Sequence, residues 1–78
     1  MSDTKEMARF EALAEESWTR IYDERASSAK ACFEDASYNL ERAIAIAEMR
    51  GLGTDAARLK TRLRHFTTVY AEKFRKRS

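Results

Sequence analysis

Proline is absent from this chain of 78 residues, and glycine occurs only twice, as Gly51 and Gly53. Without proline the strongest helix breaker is missing, and two glycines are too few to turn a many-stranded sheet. The single cysteine, Cys32, excludes an intramolecular disulfide and any multi-cysteine zinc site. The single histidine, His65, has no second imidazole to share a metal. No stretch approaches the roughly 18 apolar residues of a membrane span, and the N-terminal "MSDTKEMARF" has no apolar centre for a signal peptide. Glycine-rich phosphate loops, nucleophile elbows and zinc-protease motifs are missing too. These absences lead us to expect a soluble, cytoplasmic protein that is not an enzyme and holds no cofactor or metal.

What the sequence does have is charge and helical periodicity. Charged residues make up 36% and hydrophobic residues 44%, a balance that suits a folded helical domain rather than a disordered tail. A single domain of this size buries only about 60% of the surface its unfolded chain exposes, so its stability is modest unless another chain contributes. The charges are unevenly spread. Residues 1–57 hold seven Lys and Arg against twelve Asp and Glu, a net of −5, whereas residues 58–78 hold eight against one, a net of +7.

Three apolar stripes recur at steps of three and four residues. The first is Met7, Phe10, Leu13, Ala14, Trp18, Ile21 and Tyr22, introduced by Asp3 and Glu6 at capping-box spacing. The second is Cys32, Phe33, Ala36, Leu40, Ala43, Ile44 and Ala47, with Tyr38 and Ile46 lying off it. The third is Leu59, Leu63, Phe66, Val69, Tyr70 and Phe74. Gly51 is placed to end the second helix, and Thr54 or Asp55 to cap the third. A connector this short makes the second and third helices antiparallel neighbours. Between the first two, Ser27 or Ser28 offers a break, but no glycine or proline enforces it, so one helix of about 70 Å from Thr4 to Arg50 is the alternative. The spacing therefore predicts an all-α fold, an antiparallel helical hairpin or three-helix bundle with helices over 4–26, 29–50 and 55–75. One domain spans 1–78, and its basic tail, 75–78, is expected to fray.

Ala36, Leu40, Ala43, Ile44, Ile46, Ala47, Glu48 and Gly51, followed by "AARL" and by Leu63, Phe66 and Tyr70, resemble the tetratricopeptide repeat. In that family the second helix of a repeat carries an Ala, Phe, Ala series, matched here by Ala36, Leu40 and Ala43. The first helix of the next repeat carries Trp, Leu, Gly and Tyr, matched by Leu63, Phe66, Thr67 and Tyr70. The resemblance covers Ala36 to Tyr70 and departs from the family at Arg25, where an aromatic would stand in the preceding repeat. It implies a helical surface that binds a protein or peptide, and no catalysis.

Few residues suggest chemistry. Glu11, Glu15 and Glu16 lack the Glu-x-x-His pattern of di-iron bundles and read as a solvated face. Cys32, on an apolar stripe, reads as a small buried hydrophobe, and His65, beside Phe66 in "RLRHF", as a boundary residue. The aromatic-rich stripes carry more apolar surface than a monomer this small covers easily. We therefore assign Phe10, Trp18, Leu40, Leu63, Phe66 and Tyr70 to a structural and partner-facing surface, with a protein partner or a homodimer as the expected occupant. The rival reading gives Arg58, Arg62, Arg64, Arg75 and Arg77 to the phosphates of a nucleic acid. A third reading packs the basic helix beside the first, so that its arginines meet Glu11, Glu15, Asp23 and their neighbours, within the fold or across a dimer.

Overall fold

The computed structural model describes residues 2–22 and 29–75, with the side chains of 4–22 and 29–73 among them. Helix α1 runs Ser2–Arg20, α2 Ala29–Met49 and α3 Gly53–Tyr70, and α3 widens into a π-type turn over Ala71–Arg75. No strand occurs among the described residues. The fold is an all-α three-helix bundle.

Side-chain contacts set the directions of the helices. Phe10 lies against Arg42 and Ser17 bonds Asp35, so residue numbers rise along α1 as they fall along α2. The two helices are antiparallel, which excludes the continuous helix from Thr4 to Arg50. Helix α1 ends at Arg20, short of the expected residue 26, with Ile21 and Tyr22 already in a turn; the acid Asp23 and the capping serines Ser27 and Ser28 lie outside the described residues. Before them α1 tightens, with the Ile21 and Tyr22 amides donating to the carbonyls of Trp18 and Thr19, three residues back. The helix begins at Ser2, two residues earlier than expected, and takes in Asp3, the expected cap, whose side chain is outside the described set.

The α2–α3 connection is a Schellman motif. Gly51 adopts φ +72°, its amide donates to Glu48, and the Leu52 amide donates to the Ala47 carbonyl at 2.8 Å. The expected cap at Thr54 or Asp55 is not used. The Leu52 carbonyl already accepts the Ala56 amide at 2.9 Å, so α3 starts at Gly53 behind Leu52, and no side chain caps it. Asp55 falls in the first turn instead, where its charge suits the helix dipole. Lys60 pairs with Glu48, and Phe33 stacks on Tyr70, which makes α2 and α3 antiparallel as expected.

Alanines let the helices approach. Ala14, Ala36, Ala43 and Ala47 are fully buried, and Leu40, Leu59 and Phe66 are the largest side chains with no exposure. Complete burial of a side chain such as Leu40 is worth about 1.5–3 kcal/mol relative to exposure. Met7, Trp18, Ile21, Cys32, Ile44, Ala56 and Tyr70 complete the core. Trp18 and Phe66 stack with centroids 4.4 Å apart and planes 12° apart, an apolar contact between α1 and α3. The molecule measures 42 × 20 × 12 Å, so helix flanks remain open along its length.

Candidate interaction surfaces

Two faces of the bundle gather side chains beyond those that hold the core. The first lies between α1 and α3, which are parallel. Their contacting residues keep a nearly constant sequence separation, 47 for Glu11 with Arg58 and for Glu15 with Arg62 and 48 for Trp18 with Phe66. Four residues advance a helix by little more than one turn, so each arginine falls opposite its own glutamate. Arg58 donates to Glu11 through Nη1 at 2.6 Å and Nη2 at 3.3 Å, and reaches Asp55 at 3.4 Å. Arg62 grips Glu15 with Nε and Nη2, both at 2.7 Å, and its guanidinium lies 4.9 Å from the Phe66 ring centroid. Hydrogen bonding to the glutamates is the main influence raising both arginine pKa values, against a smaller opposing effect of burial. Thr61 and His65 line the same groove, and His65 is exposed.

This face accounts for two of the five arginines assigned to phosphate. Arg58 and Arg62 already have carboxylate partners, and an incoming phosphate would have to displace them. Arg64 is exposed and has no ion-pair partner among the described residues. The side chains of Arg75 and Arg77 lie outside the described set.

The second face is the outer seam of α1 and α2. Three of the four large exposed hydrophobic residues among those described sit here: Leu13 (39% exposed), Tyr38 (57%) and Met49 (76%). Half-buried Phe10 and Ile46 border them. At the centre is Arg42, whose guanidinium carbon lies 5.3 Å from the Phe10 centroid and 5.9 Å from that of Tyr38. Arg42 meets no carboxylate among the described residues. Asp35, one heptad earlier on the same flank of α2, accepts the hydroxyl of buried Ser17, and its own carbonyl accepts from Asn39. The α1–α2 register places Leu13 level with Tyr38 and Asn39.

The six apolar residues expected to face a partner are divided by the structure. Trp18, Leu40, Phe66 and Tyr70 are buried in the core, and a residue consumed there presents no surface. Phe10 and Leu63 are half-buried. Phe10 borders the seam, whereas Leu63 lies on α3. Tyr38, Arg42 and Met49 were missed because all three lie off the main stripe of α2. The signal was present but faint: Ala31, Tyr38 and Ala45 recur at seven residues, with Met49 four beyond, a second stripe on the outer side of the helix.

Cys32 is buried and forms no disulfide, and the described residues contain no cluster of three or more His, Cys, Asp or Glu side chains able to hold a metal. No helix among the described residues is long and apolar enough to cross a membrane. Comparison with protein-family models, curated proteins and solved structures finds no match.

Proposed function

We propose that the chain is a small, non-catalytic protein–protein interaction module of the cytoplasm, with a helix order like that of the tetratricopeptide repeat. The observation that carries this reading is the outer α1–α2 seam, where Leu13, Tyr38 and Met49 stay exposed around a ring-held Arg42. Tyr, Met, Phe and Arg are the residue types enriched where proteins meet, and an arginine among aromatic rings is a common energetic anchor. The repeat-like reading draws support from α3 running parallel to α1 across α2, and from the burial of Ala36, Leu40 and Ala43.

The alternative, a nucleic-acid-binding protein, keeps Arg64, Arg75 and Arg77 as its contacts and loses the ready use of Arg58 and Arg62. Fluorescence anisotropy with labelled short duplex and single-stranded oligonucleotides, at low and physiological salt, tests the two. A protein module shows no saturable binding at physiological salt. Saturable binding whose affinity falls steeply with salt would overturn the module reading. Chemical cross-linking of wild type and Tyr38→Glu supplies the positive arm: protein adducts should form with wild type and vanish in the variant at unchanged helicity.

A further inference from the structure

We infer that the α1–α2 seam docks against the same seam of a second copy, about a twofold axis near Tyr38 and Asn39 of α2, so that Arg42 of each copy meets Asp35 of the other. This inference rests on the module reading and names its partner.

Charge complementarity selects the occupant. Arg42 is exposed, held by two rings and without a carboxylate among the described residues. Asp35 is exposed, and the only side-chain donor to its carboxylate among the described residues is the Ser17 hydroxyl. Both lie on the flank of α2 that turns toward α1, as their contacts with Phe10 and Ser17 establish. They are separated by seven residues, about 10 Å along the axis at nearly the same azimuth. A twofold axis crossing α2 midway between them reverses the helix direction but keeps each flank on its own side. Position 35 of one copy then comes level with position 42 of the other, and the ion pair forms twice.

The neighbouring residues permit this arrangement. Tyr38 falls next to its own counterpart near the axis. Ala31 and Ala45, seven residues to either side, leave room for the helices to approach. Phe10 and Leu13 widen the apolar contact onto α1, and Ile46 extends it along α2 toward Ala31 of the other copy. Glu34 and Glu41 are exposed and, by helical periodicity, lie on the opposite flank, at a hydrated rim where their repulsion is screened. The extent is sufficient. Helices of 19 and 21 residues lying side by side offer a footprint on the order of 600 Å² per copy, or roughly 1,200 Å² in total, where stable specific interfaces begin.

Sedimentation equilibrium over a wide concentration range, on wild type, Arg42→Asp, Asp35→Arg and the double variant carrying both changes, tests the register. Wild type should be dimeric, and either single reversal, by placing like charges together twice, should weaken the dimer by at least about thirtyfold. The double variant restores opposite charges at both pairs and should recover dimerisation. Tyr38→Glu places a charge beside its own counterpart at the axis, at an exposed side chain, and it should weaken the dimer even if reversal at Asp35 disturbs the bond from Ser17. Circular dichroism confirms that each variant remains helical. A wild type that stays monomeric overturns the inference, as do single reversals without effect or a double variant that fails to recover. A monomeric wild type that still forms Tyr38-dependent adducts with a foreign protein would overturn only the second copy as partner. Oligonucleotide binding would overturn the module reading itself.

Discussion

Phe66 joins all three levels of the structure. Its ring is fully buried, stacks on Trp18 from α1 and lies beneath the Arg62 guanidinium that holds Glu15. Leu63, three residues earlier on the same stripe, is only half-buried. The apolar period treats the two alike, but the cost of removing them differs because a cavity forms only where neighbours close over the site. Phe66→Ala should lose about 3–5 kcal/mol, enough to abolish a cooperative unfolding transition in a domain this small. Leu63→Ala should lose about 1 kcal/mol, from partial burial and little cavity. Urea denaturation followed by circular dichroism measures both. Equal losses would show that Leu63 is as enclosed as Phe66.

At the scale of the element, the α2–α3 turn separates two glycines that look equivalent in "RGLGTD". Gly51 sits at φ +72°, where a Cβ is strained whatever space surrounds it, and its left-handed conformation directs the Leu52 amide onto Ala47. Gly53 opens α3 at negative φ, and a Cβ there meets nothing within 4 Å. Gly51→Ala should destabilise the protein by about 1 kcal/mol, and Gly53→Ala should be neutral or stabilise it by about 0.4–1 kcal/mol through the unfolded chain. Thermal melts of the two single variants test this, and the contrast fails if both shift in the same direction. Gly51 was legible in the sequence because a left-handed helix end has few other solutions. The start of α3 was not, since the same turn recruits Leu52 as the flanking residue and bypasses Thr54 and Asp55. The stripes of α2 and α3 were legible for a similar reason, because a 3.6-residue period reports which side is inward. Periodicity alone does not say which flank meets which helix. Leu13 belongs to the stripe of α1 yet remains exposed, because α2 covers only part of that stripe and α3 lies on the far side.

For the whole molecule, the question is what the charge asymmetry does. Part of it is used internally, since Arg58 and Arg62 from the basic segment meet Glu11 and Glu15 of the acidic one, and Lys60 meets Glu48. The two arginine pairs bridge α1 and α3 and the lysine pair bridges α2 and α3, so together they favour one relative placement of the helices. Their contribution to stability is small, because Arg62 and Glu15 are 39% and 38% exposed, and solvent screens such pairs. Glu15→Gln should therefore cost less than about 1 kcal/mol at low salt and less still in about 1 M salt, where the Debye length falls to about 3 Å. The sign of the pH effect follows from the arginines. Their folded-state pKa values are raised, so what they contribute is fully present below the ordinary arginine value and is lost only as pH rises through the still higher folded value. Arginine titration should leave the thermal midpoint unchanged from neutral pH up to the ordinary lysine range. Melts across that interval, for wild type and Glu15→Gln at both salt concentrations, check the account. A large loss of wild-type stability on adding salt at neutral pH would show instead that the α1–α3 pairs, and not the apolar stack of Trp18 on Phe66, hold the two parallel helices together.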